Sequence, residues 1–301
     1  MAWGRSDMKR AAATVSLCVA IGLGACAPAD IPVGPAVSLT PTPATPAPPG
    51  ANSPPVREAQ VDIAKEVQKL RKAFESEVQE HLKWTAGLPV ADRLAKAVQA
   101  LPADGPQAVL AVDRAANQQT IWVLVSSPGK WTVIGGTLVS TGKPGRKEHF
   151  KTPIGTFLND GAILGYRAEG TFNENHVRGL GLKGMRVWDF GWQTTEDWRT
   201  PGATVEVRLE MHSTDPANLA HRIGRPDSEG CIRIPASLNQ FLDKHGVIDR
   251  ALTAAAPTDP ATAQLISRQQ NPTPLAGSAV IVYDSSEPQR HDADGAAQAA
   301  R

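Results

Sequence analysis

Beyond residue 107 the chain is cut into short apolar runs by turn-forming residues, and this alternation points to a mainly β fold. The runs are VLAV at 109–112, TIWVLV at 120–125, WTVI at 131–134, TLVS at 137–140, VEVRLEM at 205–211 and AVIVY at 279–283. The intervening residues include Asp113, the pair Pro128-Gly129, and a Gly/Pro loop that begins at Gly142. A helix is expected over 235–246, where Leu238, Phe241 and Leu242 share one face and Gly246 follows His245. Residues 161–202 are rich in glycine and aromatics and read as a long loop folding over the sheet. Residues 251–263 read as a low-complexity surface segment. His149 and His176 read as solvated loop residues, and most of the tryptophans as core.

The run 205–211 ends at His212, and a turn-rich stretch then leads to Cys231. A thiol nineteen positions after an imidazole is no local helical pair; a loop returning beside the strand can bring the two together. Such a pair suits nucleophilic catalysis. A free thiol is only a few per cent ionised near neutrality, and a neighbouring histidine takes its proton. The expectation is that the Cys231 sulfur lies within about 4 Å of a His212 ring nitrogen and that its pKa is depressed. Gly230 lets a substrate approach the backbone, and the amides near Gly230 and Cys231 are candidates for holding an oxyanion.

The stretch 212–233 resembles the catalytic motif of the L,D-transpeptidases, the YkuD-type domain. The matching residues are His212, Ser213, Thr214, Ser228, Gly230, Cys231, Ile232 and Arg233. Upstream, Ser140-Thr141-Gly142-Lys143-Pro144-Gly145 and Thr152-Pro153-Ile154-Gly155-Thr156-Phe157 resemble the family's two early blocks. The likeness covers residues 107–285, and three ordered blocks are more specific than any one of them. Glu229 departs from it, standing where members often carry His or Arg.

The resemblance implies a β-sandwich-like catalytic domain with a short helix after the nucleophile and no cofactor or metal. It implies Cys231 as nucleophile, His212 as base and the Ser213 carbonyl as the group that orients the imidazole. Gly230, Ser228 and Arg233 would serve the oxyanion or the substrate; Arg233 either steadies the loop or meets a substrate carboxylate. The implied partners are peptidoglycan stem peptides and an amine acceptor, which can be another stem, a D-amino acid or a lipoprotein lysine. Water in place of the amine would make the protein an L,D-carboxypeptidase or a peptidase that releases wall-linked protein. A non-catalytic wall-binding lipoprotein is the reading from another class. Zinc held by His212, His221 and Cys231 is disfavoured, because it lacks a fourth ligand and a C-x-x-C pair.

The N-terminal part has a different character. Lys9-Arg10, an apolar run over 11–24 and Leu23-Gly24-Ala25-Cys26 describe a secretory signal ending in a lipobox. The run is short of the ~20 apolar residues of a spanning helix. The chain has three cysteines, so cleavage at 1–25 with lipid on Cys26 would leave Cys231 as the only free thiol. The expected location is the periplasmic side of the outer membrane, through the lipid anchor. Residues 26–55 are Pro/Ala-rich and read as an extended tether, on the order of 80–90 Å at polyproline rise. Residues 56–102 read as helical: Ile63, Val67, Leu70, Phe74, Val78 and Leu82 keep a 3.6-residue period. Leu88, Ala91, Leu94, Val98 and Leu101 continue it in a second helix. Residues 286–301 read as a disordered tail. A net charge of +1 gives no electrostatic case for nucleic acid.

Overall fold

The computed structural model describes residues 62–83, 105–127 and 130–287. The signal segment 1–25, Cys26, the linker 26–55, the second helix expected over 88–101 and residues 288–301 of the tail lie outside the described residues.

The described residues are mainly β, with two mixed sheets, a few helices and an N-terminal helix. The strands are β1 (Gln107–Asp113), β2 (Thr120–Ser127), β3 (Lys130–Leu138), β4 (Gly155–Leu158), β5 (Tyr166–Arg167), β6 (Arg186–Glu196), β7 (Thr204–Ser213), β8 (Ile232–Ile234) and β9 (Ala279–Tyr283). The helices are α1 (Ile63–Glu77), α2 (Ala236–His245), α3 (Arg250–Ala255) and α4 (Pro260–Leu265). One sheet has the order β3-β2-β1-β9-β4 and the other β5-β6-β7-β8. The β1–β9 and β7–β8 pairs are parallel and the rest antiparallel.

Strands β1 and β9 are buried at every position, which explains their unbroken apolar runs. The main core draws Leu110, Val112, Ile121, Val123 and Val280 from the first sheet. It draws Trp188, Leu209, Met211, Ile232 and Ile234 from the second, and Phe74 and Phe241 from α1 and α2. Each fully buried Leu or Ile side chain contributes about 1.5–3 kcal/mol by leaving water.

Helix α1 starts at Asp62, whose carboxylate accepts from the Lys65 amide at 3.1 Å. Its buried stripe is Val67, Leu70 and Phe74, as the periodicity predicts. It stops earlier than the sequence pattern suggests, because the chain beyond it turns to the first sheet. The Leu82 amide donates to the Gly136 carbonyl, and His81 bridges Thr137. Helix α2 ends at Gly246 in the left-handed conformation, on the expected residue.

Four expectations are corrected. The runs 131–134 and 137–140 are not separate strands: the first and the start of the second belong to one strand, β3. Gly135 and Gly136 lie inside β3, where a Cβ would fall 2.2 Å from the Phe74 ring and 2.4 Å from the Trp122 ring. The glycines serve close packing. Residues 161–202 are not only a loop, because they supply β5 and β6, and β6 is interior to the second sheet. Its period is hidden by Arg186 and Asp189, which are buried in polar pairs with Asp249 and Arg208. Residues 251–263 carry most of α3 and α4, with Leu252 fully buried and Thr262 nearly so. His149 is buried rather than solvated. His176 is exposed, as expected.

Candidate active site

The parallel β7–β8 pair sets the site. Met211 pairs with Ile232 and His212 with Arg233. Alternation sends Leu209, Met211, Ile232 and Ile234 into the core, so Arg208, Glu210, His212, Cys231 and Arg233 occupy the opposite face. Extending the register by one residue sets Cys231 beside Glu210. His212 and Cys231 are therefore diagonal neighbours on one face.

His212 is 4% exposed. Its Nδ1 lies 2.6 Å from the Ser213 carbonyl. A carbonyl can only accept, so Nδ1 carries the proton and Nε2 keeps a free lone pair. Burial, against the opposing Ser213 carbonyl and with help from the Arg233 charge, lowers the imidazole pKa to about 4. At neutral pH the ring is an uncharged base.

Cys231 is half-buried. Burial raises its pKa to about 11, with the Glu210 and Glu229 charges acting in the same sense. A hydrogen bond from the Glu210 backbone and the Arg233 charge pull the other way. The thiol also lies 4.0 Å from the Arg208 carbonyl, and among the described residues no hydrogen bond joins it to His212. The resting pair is thus a neutral thiol and a neutral imidazole, opposite to the depressed thiol that spacing alone suggests. The physical reason is desolvation of both groups without a compensating ion pair.

Ser228 holds the turn before the nucleophile. It is fully buried, and its hydroxyl donates to the Cys231 carbonyl at 2.6 Å. The Gly230 amide donates to the same hydroxyl at 3.1 Å, so in the resting loop that amide serves the turn rather than an oxyanion. Gly230 has φ of 144°, a conformation that a side chain would strain. Arg233 Nη1 donates to the Asp227 carbonyl at 3.2 Å and lies 3.5 Å from its carboxylate, which steadies the loop. Arg233 Nε and Thr214 Oγ1 are buried without a hydrogen-bond partner.

The two upstream blocks meet this loop. The Ser140 amide donates to the Arg233 carbonyl, and the Lys143 amide to the Ser228 carbonyl. Thr152 Oγ1 donates to the Gly230 carbonyl at 2.7 Å. His149 Nδ1 lies 3.0 Å from the Ser228 carbonyl, while the His149 carbonyl accepts from Trp198 Nε1 at 2.7 Å. Three segments distant in sequence therefore support one turn.

Sequence reasoning missed Glu210 and Arg208, which neighbour Cys231, and Tyr166 and Asp189, which bond to them. Alternation along 205–211 was a usable signal for Glu210 and Arg208. Tyr166 and Asp189 sit on strands that the glycines concealed. His221 lies in a 3-10 turn, Ala220–Arg222. Among the described residues no group of three or more His, Cys, Asp or Glu is placed to hold a metal ion.

No family model matches the chain. No curated protein matches it. Among the solved structures similar to it, two show the likeness at low overlap. One is Bd1075 of Bdellovibrio bacteriovorus: 16% identity and a TM-score of 0.29, covering 62% of this chain and 49% of that one. The other is a fused Zn-dependent amidase/peptidase/peptidoglycan-binding domain-containing protein from Clostridium acetobutylicum ATCC 824: 13% identity and a TM-score of 0.26, covering 74% of this chain and 63% of that one. This chain thus spans about half the length of the first and under two thirds of the second.

Proposed function

We propose that this protein is a cysteine-dependent L,D-transpeptidase acting on peptidoglycan stem peptides. The observation that carries the reading is a buried imidazole with Nδ1 fixed on Ser213 and Nε2 free, on the sheet face that presents Cys231. Cys231 Sγ attacks the carbonyl between the third stem residue and the terminal D-alanine. Its proton passes to His212 Nε2 as the C–S bond forms. Nε2–H then protonates the departing D-alanine amine as the C–N bond breaks, leaving a thioester. An amine acceptor resolves it, forming a new amide and restoring the thiol.

Because the resting thiol is neutral, proton transfer accompanies attack rather than preceding it. The substrate displaces water from the face, and the sulfur leaves the Arg208 carbonyl for the scissile carbon. Arg233 Nε, a buried donor without a partner, suits the substrate's terminal carboxylate. Ser228 and Thr152 keep the turn from yielding under the reaction.

The test is mass spectrometry of the protein incubated with a tetrapeptide-bearing muropeptide. The reading expects a thioester adduct on Cys231 with loss of D-alanine, then a crosslinked product when a second stem is supplied. Plain tripeptide as sole product would mark an L,D-carboxypeptidase. No adduct and no turnover would leave a binding protein.

The same proposal places the chain on the periplasmic side of the outer membrane, held by lipid on Cys26. Two or more acyl chains anchor a protein stably, whereas one is marginal. Cys26→Ser should move it to the soluble fraction; retention in the membrane fraction contradicts the anchor.

A further inference from the structure

Glu210 stands beside the candidate nucleophile in register and, among the described residues, forms no salt bridge. Its described side-chain partner is the Tyr166 hydroxyl, which donates to Oε1 at 2.9 Å. The neighbouring Asp189, its register partner on β6, is already paired with Arg208 Nη2 at 2.5 Å. Arg233 is committed to Asp227. Glu210 is half-buried, and its charge falls on the Cys231 sulfur, where it opposes thiolate formation. A site evolved only to ionise a thiol gains nothing from such a neighbour. The arrangement becomes favourable once a cation sits between Glu210 and the sulfur. The face is open at this end, where Trp192 is 64% exposed next to Arg208.

We propose that Glu210, held by Tyr166 beside Cys231, seats the primary ammonium of the amine acceptor and takes a proton from it before it attacks the thioester. The proposal rests on the transpeptidase reading for its chemistry. The seated R–NH3+ gives one proton to the Glu210 carboxylate and becomes R–NH2. The nitrogen lone pair forms a C–N bond at the thioester carbonyl while the C–S bond breaks. The excess proton on nitrogen passes to His212 Nε2, which delivers it to the departing sulfur. Glu210 releases its proton to solvent. The sum is an amide, a restored thiol and one proton, with no oxidant or further reactant. The seat also disfavours water, because water does not answer a carboxylate's need for a cation.

The experiment uses the full chain and Glu210→Gln, which keeps the shape and can still accept from Tyr166. A tetrapeptide donor is supplied with D-methionine as acceptor, and the thioester, the D-methionine product and the tripeptide are quantified. In Glu210→Gln the thioester forms faster, because a negative charge beside the thiol is gone. Transfer to D-methionine falls about ten-fold or more, the loss expected for a charge-assisted bond, and tripeptide rises. General damage to the site slows both steps and overturns the proposal. A donor arm with the third residue's side-chain amine acetylated separates the two sources of ammonium. If Glu210→Gln slows acylation only by the unacetylated donor and leaves partition unchanged, the seat belongs to the donor and the proposal fails. Should the wild type form no thioester, the transpeptidase reading falls, and the seat is then read without turnover. Ethanolamine should speed alkylation of Cys231 by iodoacetamide in the wild type and not in Glu210→Gln. Equal responses in the two proteins overturn the seat.

Discussion

Two buried ionisable centres in this molecule are built on opposite terms. Arg114 follows β1, and its side chain is 3% exposed. Burial opposes its charge, but Glu196, Asp284 and Glu287 outweigh that and hold its pKa above the ordinary value. Its Nη1 also donates to the Thr152 carbonyl at 2.6 Å. This charge is fully compensated, and it ties the ends of β1, β6 and β9 to the loop before β4. The pair His212 and Cys231 is also desolvated, yet neither group has an ion partner, and burial drives both toward their neutral forms. Beside them Arg233 Nε and Thr214 Oγ1 go unpaired. The first centre spends its charges on holding strands together. The second leaves polar groups unsatisfied within the chain, the pattern that the proposed function would explain.

The sharpest way to break this comparison is to remove the sulfur. Cys231→Ala should abolish the thioester adduct in the mass assay, since Ser213 and Ser228 have their hydroxyls committed to the Thr214 and Cys231 carbonyls. A persisting adduct would place the nucleophile elsewhere. Next in size, His212→Gln should lower acylation by roughly 10²–10⁴-fold, the usual worth of a positioned base. In the wild type, iodoacetamide should react with Cys231 only as pH climbs toward the alkaline range. A midpoint well below that of a free thiol would mean a preformed ion pair, and the contrast with Arg114 would collapse.

At the compensated centre the effect should appear in stability instead. Arg114→Met removes the buried cation that faces Glu196, Asp284 and Glu287 and should cost about 3–5 kcal/mol. Urea unfolding would measure it. A loss under 1 kcal/mol would show that water replaces the guanidinium and that the centre is not structural.

The difference between the centres also decides what could be read from the sequence. The strands of the first sheet were legible because their buried positions are simply apolar. That His212 and Cys231 share one face was legible because a strand ends at the first and a turn-rich stretch returns the chain to the second. Helix α2 was legible from its apolar face and Gly246. Strand β6 was not, since Arg186 and Asp189 mimic surface residues until Asp249 and Arg208 are seen opposite them. Nor was the contact of Tyr166 with Glu210, because a cross-strand hydrogen bond between residues 44 positions apart leaves no local pattern. The ionisation of the pair was misread for a related reason. Sequence separation says that a histidine can reach a cysteine; it does not say how much water the fold leaves around them.

The smallest effect is a difference in acid sensitivity. His212 has a folded pKa of about 4 against an ordinary value of 6.5. The folded state is then the one that resists protonation, so the unfolded chain binds more protons as pH falls below 6.5. The stability tied to the neutral ring is fully present above pH 6.5 and is lost progressively down to about pH 4. Between pH 7 and 5.5 this amounts to about 1 kcal/mol. At Glu196 burial raises the pKa, but the Arg114 and Lys151 partners prevail and bring it down to about 2, from 4.5. Its contribution is present above pH 4.5 and is lost as pH falls toward 2. Because its side chain is 40% exposed, solvent and salt weaken it. The two windows barely overlap, so urea unfolding at pH 7, 5.5, 4 and 3 can separate them. His212→Gln should flatten the fall between pH 7 and 5.5 and leave the fall below pH 4. Glu196→Gln should do the reverse, and added salt should reduce only the part that Glu196 carries. If His212→Gln keeps the full slope above pH 5.5, the imidazole is not desolvated as described, and the neutral resting pair loses its physical basis.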